Sequence, residues 1–283
     1  MARFPTTLSG LVALLAGLTG PQASVAAADT PTERIAIIGT GDLGDSMGPR
    51  LARSGYQVIY GSREPERPSH QALLDKSGPD ARVVSQQEAA QGADTVILAV
   101  TWPAMETVAQ ELGDLAGKVL IDVSFPMRQG ADGYMESMVE TSSAELIQDW
   151  NPDARVVKLD APGSFLFDRP DEFGERVTMF IAANDVEAKE RVAKIVFAMG
   201  FEPLDAGPLR HAREIEASGH LYMVPLLQGR REGWEFSIQR STYWPCFWDI
   251  SESFAPVADA DRLAEFPESP RELKPCDAFA NDR

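Results

Sequence analysis

From Ile35 onward the chain alternates between short apolar runs and amphipathic stretches. Ile35–Ile38, Tyr56–Tyr60, Val83–Val84, Thr95–Val100, Lys118–Val123, Arg155–Leu159, Val177–Ala182 and Phe201–Leu204 are short and rich in β-branched residues, as strands are. The runs TVILAV and KVLIDV are almost continuously apolar, which a parallel strand covered on both faces requires. Helical patterns fill the intervals. Leu43, Met47 and Leu51 fall on one helix face, further helices pass through Leu73 and Leu74 and through Gln86–Gln91, and Pro103 opens another that ends by Leu115. Ala131–Ile147 reads as a loop running into a helix. Glu187–Met199 buries Val192, Ile195, Val196 and Met199 and is stopped by Gly200. Leu209–Leu227 predicts a long helix interrupted near Gly219 and Pro225. No internal repeat is present.

The first strand leads into a glycine motif. Gly39, Gly41 and Gly44 follow Ile38 as G-x-G-x-x-G, open the helix of Leu43 to Leu51, and precede a second strand. Gly39 permits a tight turn, Gly41 removes the Cβ that would hold a pyrophosphate off the backbone, and Gly44 lets the helix lie close to the sheet. Gly48 extends that packing. Free N–H groups and the positive dipole end at the helix start suit a diphosphate. The element order and this motif together predict an α/β fold: a Rossmann-type doubly wound parallel sheet with a small C-terminal helical, aromatic-rich extension. Ligands then lie at the carboxyl ends of the strands, so the loops Thr101-Trp102-Pro103 and Ser124-Phe125-Pro126 face the nucleotide.

The end of the second strand selects the nucleotide. An NAD site places Asp or Glu there for the ribose 2′-OH, whereas this chain has Gly61, Ser62 and Arg63. A hydroxyl and a guanidinium suit a 2′-phosphate, so NADP(H) is the expected cofactor. The plainer alternative makes Arg63 a surface residue paired with Glu64 or Glu66.

Charge and composition narrow the class. The 283 residues carry a net charge of −17, which argues against nucleic acid as a partner. Residues 1–28 hold Arg3, an apolar Leu8–Leu18 segment and Ala26-Ala27-Ala28, the pattern of a signal peptide cleaved before Asp29. Its apolar part is short for a bilayer and no later segment is apolar enough, so no integral span is expected. An exported, periplasmic or secreted protein follows, or a cytoplasmic one if the signal does not function. The remainder divides into a dinucleotide-binding domain, 29–205, and a C-terminal region, 206–283. Cys246 and Cys276 either form one disulfide or remain two thiols. With His70, His211 and His220 dispersed, no metal-site spacing is present. Trp234, Phe236, Tyr243, Trp244, Phe247 and Trp248 form either an aromatic lid over a flat redox acceptor or a satellite core or homodimer contact. Asp122, Ser124 and Asp160 read as turn caps or backbone ligands at strand ends, with action on a proton as the alternative, and His211 and His220, candidate acids nine residues apart, share no obvious site.

The glycine fingerprint, the Gly61-Ser62-Arg63 sequence and the segment LDAGPLRHAREIE (Leu204–Glu216) resemble NADPH-dependent F420 (deazaflavin) reductases. They are similar also to the NADPH-binding domain of STEAP metalloreductases. The resemblance runs with gaps from Arg34 to Met223. It implies direct hydride transfer between NADP(H) and a small-molecule redox acceptor with a flavin-like ring: coenzyme F420, FAD or FMN as co-substrate. A quinone or metal chelate is a further acceptor class. By position, Gly39, Thr40, Gly41, Asp42, Leu43 and Gly44 match the pyrophosphate site, Ser62 and Arg63 the 2′-phosphate site, and Val100, Thr101 and Trp102 the strand end beside the cofactor. Leu159–Phe165 departs from the family, which usually carries Asn or His before a Thr at this point. No catalytic side chain is indicated, in keeping with chemistry that belongs to the cofactor. The competing reading is a non-catalytic NADP-binding module, acting as a sensor or as the partner of a redox protein. A hydroxyacid dehydrogenase or imine reductase fits less well, since little helical sequence follows Gly229.

Overall fold

The computed structural model describes residues 33–161, 163–238 and 264–269. The leader, both cysteines and the aromatic residues from Tyr243 to Trp248 lie outside them. The chain opens with β1 (Arg34–Ile38), α1 (Asp42–Arg53), β2 (Gln57–Ser62), α2 (His70–Ser77), β3 (Arg82–Ser85) and α3 (Gln86–Gln91). Next come β4 (Thr95–Leu98), α4 (Trp102–Glu111), β5 (Val119–Asp122), a hairpin of β6 (Met127–Gln129) and β7 (Met135–Ser137), and α5 (Ser143–Trp150). β8 (Arg155–Leu159), α6 (Ser164–Asp168), β9 (Thr178–Ala183), α7 (Val186–Ala198), β10 (Glu202–Gly207) and α8 (Ala212–Leu227) complete it.

Among the described residues, eight strands form one sheet in the order β10-β9-β8-β5-β4-β1-β2-β3. The first six strands in sequence that join this sheet run parallel. Strand order reverses between β1 and β4, which opens a crevice at their carboxyl ends. Alternate side chains supply two cores. Ile35, Ile37, Ile97, Ile121 and Val157 pack with α1 and α7, while Ala36, Ile38, Val96, Leu98 and Leu120 pack with α3, α4 and α5.

The expected doubly wound, mostly parallel sheet is present, with one antiparallel junction. β9 pairs antiparallel with β8, and β10 lies parallel to β9. The connection after β8 carries no helix long enough to run back along the sheet: α6 has five residues, rising about 7–8 Å, and only a 3-10 helix (Pro170–Phe173) follows it. α7, at 13 residues, can do so, and β9 and β10 are parallel. α8 is continuous from Ala212 to Leu227, without the expected break at Gly219, which is buried where a Cβ would stand 2.4 Å from the Phe125 ring. Pro225 sits in its last turn, and the helix ends two residues beyond it at Leu227. Ala131–Ile147 contains part of the hairpin as well as the start of α5. Among the described residues no helix is long and apolar enough to cross a membrane.

Candidate functional site

The crevice holds a cavity of about 570 Å³ with three walls. Gly39, Thr40 and Gly41 form the first, Ser62, Arg63, Glu64 and Arg67 the second, and Ala99, Val100, Thr101, Ala104 and Val108 the third. Gly39 has φ of +120°, and a Cβ there would lie 2.2 Å from the Ala99 carbonyl oxygen, so only glycine fits the turn. A Cβ on Gly41 would meet nothing within 4 Å, so its place is open space that a ligand can enter. A Cβ on Gly44 would strike the Gly39 carbonyl at 2.2 Å, so this glycine holds helix and turn together. Gly41 is the N-cap of α1 and supplies no side-chain cap, which leaves the first-turn N–H groups available to an anion.

The second wall is basic at its tip. Ser62 is buried and its Oγ accepts the Glu64 N–H at 3.1 Å, leaving the hydroxyl proton to donate elsewhere. Glu64 pairs with Arg67 at 3.1 Å, not with Arg63, so Arg63 has no acidic partner among the described residues. Side chains in the Glu64–Arg67 pair are 68% and 54% exposed, so it contributes at most about 1 kcal/mol and yields readily to a stronger anion. The donor set and the open place at Gly41 fit a dinucleotide bearing a 2′-phosphate. Sequence reading missed Arg67, whose signal was a second arginine in the same short loop. It missed Gln86, Thr107 and Glu111 as well, which line the cavity from α3 and α4.

Asp42 is exposed and Leu43 packs against the core, so neither they nor Gly44 offers a side chain to the cavity, and what they present to it is the backbone N–H groups of the first turn of α1. Trp102 opens α4, but its ring stacks on Trp150 at 6.0 Å between centroids and does not reach the cavity wall.

A buried polar cluster fills the sheet ends beyond β4. Lys158 and Asp122 are both fully buried, with Nζ donating to Oδ2 at 2.9 Å, and Glu216 on α8 joins at 3.1 Å. Lys158 donates further to the Ser143 hydroxyl at 3.0 Å and to the Ser124 carbonyl. Asp122 Oδ1 accepts the Ser124 N–H at 2.8 Å and its hydroxyl at 2.6 Å, so Asp122 does cap its turn but also holds the lysine. Burial alone would lower the Lys158 pKa, yet the two carboxylates outweigh it and raise it. Burial raises Glu216, against the attraction of Lys158. Phe125 closes the cluster, its ring centroid 5.1 Å from Nζ. A lone lysine in the apolar strand RVVKL was the visible sign of this cluster.

Asp160, one step past β8, is fully buried, and its Oδ1 has no hydrogen-bond partner. Burial pushes its pKa up to about 7 against the pull of Lys158, and burial pushes Glu235 up to about 7 as well. The Tyr222 hydroxyl donates to Asp160 at 3.5 Å, and the Tyr222 ring packs against Phe236 at 4.7 Å. His211 Nδ1 bonds to the Ala206 carbonyl, whereas His220 lines a separate 150 Å³ cavity with Phe125 and Arg213.

With this geometry in hand, comparison with known proteins locates the domain. Residues 34–126 match the family model for NADP oxidoreductase, coenzyme F420-dependent. The matched stretch contains the glycine loop, the basic loop and the strand ends that wall the cavity. The metalloreductase STEAP3 of Rattus norvegicus is 33% identical over 193 residues, which is 67% of this chain and 37% of that protein. The F420-dependent NADP reductase of Methanothermobacter marburgensis is 26% identical over 198 residues, 65% of this chain and 88% of the relative. A solved structure assigned as an F420 dependent NADP-reductase from Arthrobacter sp. FB24 superposes with a TM-score of 0.64 at 27% identity, covering 73% of this chain and 99% of the other. The resemblance read from the sequence therefore stands, and the chain is related to NADP-dependent oxidoreductases. It spans only 35–37% of the length of the metalloreductases it matches.

Proposed function

We propose that this chain is an NADPH-dependent reductase that passes a hydride to a flat two-electron acceptor of the flavin or deazaflavin type. The observation that carries the reading is the basic tip of the cavity, where Ser62, Arg63 and Arg67 replace the carboxylate of an NAD site. Ser62 and the two arginines would hold the 2′-phosphate through charge-assisted hydrogen bonds, and the N–H groups of the Gly39–Gly41 turn and of α1 would hold the diphosphate. The nicotinamide, when bound, supplies the hydride. The chain's own contribution is orientation and exclusion of water by Val100, Ala104 and Val108 on the third wall. Each turnover moves two electrons and one proton as hydride, with a second proton drawn from solvent for acceptors that need it.

Support for the acceptor class comes from the relatives named as F420-dependent NADP reductases, while those named as metalloreductases favour a metal chelate as the alternative acceptor. Coenzyme F420, FAD and FMN are the acceptors to supply first, with a ferric chelate beside them. The test follows loss of NADPH absorbance with each acceptor in turn. Oxidation by a flavin or deazaflavin, slower with NADH, is the expected result. Tight NADPH binding with no oxidation by any acceptor would instead make the chain a nucleotide-binding module. The reading extends to location. The leader pattern of residues 1–28 supports export, checked by N-terminal sequencing of the mature protein, which should begin at Asp29 or within about two residues of it.

A further inference from the structure

His70 touches both polar walls of the cavity from behind without lining it. It is the first residue of α2, 6% exposed, with Nε2 3.2 Å from Thr40 Oγ1 and Nδ1 3.1 Å from the Pro65 carbonyl oxygen. A carbonyl only accepts, so in the neutral ring Nδ1 carries the proton. Nε2 is then left with its lone pair, and the Thr40 hydroxyl must donate to it. Thr40 stands between two glycines of the first wall, and Pro65 lies in the arginine loop of the second. That loop is a run of turns: the Glu64 N–H bonds to Ser62 Oγ, the Arg67 N–H to the Glu64 carbonyl at 3.1 Å, and the His70 N–H to the Arg67 carbonyl at 3.0 Å. The last residue of the run reaches back to Pro65 and across 30 residues of sequence to Thr40.

We infer that His70 is a positioning residue that pins the glycine loop to the arginine loop, and so sets the affinity of the cavity for a dinucleotide carrying a 2′-phosphate. The inference rests on the proposed function above. A ligand that spans both loops gains when their spacing is set before it binds, because the ordering cost is removed from the binding step. A ligand confined to the arginine loop gains little. His70 therefore acts through Thr40 and Pro65 and not through contact with the nucleotide.

The experiment is a double-mutant cycle on the full chain, read as the dissociation constant of NADPH by its fluorescence. His70→Ala and Thr40→Val each delete one side of the same hydrogen bond. Each should raise the constant about tenfold, and the double variant also about tenfold, since the bond can be lost only once. His70→Phe keeps the ring volume without its nitrogens, provides the cycle if the alanine variant does not fold, and should match it. Adenosine 2′-monophosphate, a probe of the arginine loop alone, should bind all variants within about threefold. Effects that multiply to about a hundredfold in the double variant would show two independent roles and overturn the pin. Folded His70 variants that bind NADPH within about twofold of the unaltered chain would overturn it as well. Those outcomes leave the proposed function intact, whereas an unaltered chain that does not bind NADPH removes both.

Discussion

Replacing Lys158 by methionine should destabilise the protein severely at neutral pH and much less in mild acid. The ammonium is fully buried and is held by Asp122 at 2.9 Å, Glu216 at 3.1 Å and the Ser143 hydroxyl at 3.0 Å. Methionine fills nearly the same volume, so little cavity forms and the effect is electrostatic. It leaves two carboxylates in one dry site with no cation, and removing one partner of a buried pair costs about 3–5 kcal/mol. Against a total stability of about 5–15 kcal/mol, that is a large fraction. The sign of the pH dependence follows from linkage. In the variant the orphaned acids have folded-state pKa values above their unfolded value of about 4, so the folded state binds more protons and its stability rises as pH falls from neutrality toward that value. Urea unfolding of the variant and of the unaltered chain at pH 7.5 and pH 5 measures both effects. Adding Glu216→Gln to Lys158→Met should restore part of the loss, because one of the two unpaired charges is gone. A Lys158→Met protein within about 1 kcal/mol of the unaltered chain at pH 7.5 would refute this account of the cluster.

Asp160 should make stability fall as pH rises. Its folded pKa of about 7 lies above the unfolded value, so its contribution is complete below about pH 4 and is lost as pH climbs through 7. Asp160→Asn should accordingly melt higher than the unaltered chain at pH 8 and near it at pH 5, and an equal pH slope in the two proteins would contradict the burial argument. Trp102→Ala removes the ring stacked on Trp150 and should cost about 1–3 kcal/mol in unfolding while leaving the NADPH dissociation constant of the folded protein unchanged. A weakened nucleotide affinity would place that ring at the site after all.

The glycine loop and the arginine loop were legible because each depends on a local signal. Gly39 needs a positive φ and Arg63 follows directly on a strand, and both facts are written in adjacent residues. The antiparallel edge was not legible from apolar runs, which look alike in either direction. It depends on how the connection after β8 folds, where a helix of five residues and a short 3-10 helix stand in place of a crossover helix. Trp102 was placed correctly at a strand end, but the direction of its ring is set by Trp150, which is distant in sequence. The Lys158 cluster joins residues from β5, α5, β8 and α8, and only their assembly reveals that the lysine has two acids to meet. Arg67 lies close enough to Arg63 in sequence to have been suspected. Its place on the cavity wall depends on the turns between Ser62 and His70.

The central claim is that the basic tip of the cavity selects a 2′-phosphorylated nucleotide, and titration of the purified chain with NADPH and with NADH tests it most directly. The account predicts that NADPH binds at least about tenfold more tightly, a difference of about 1.4 kcal/mol, and that the preference diminishes as salt is raised. Arg63→Ala should remove most of the difference and Arg63→Ala with Arg67→Ala nearly all of it, with NADH affinity little altered in either variant. Equal affinities for the two nucleotides in the unaltered chain, or a preference that survives loss of both arginines, would contradict it.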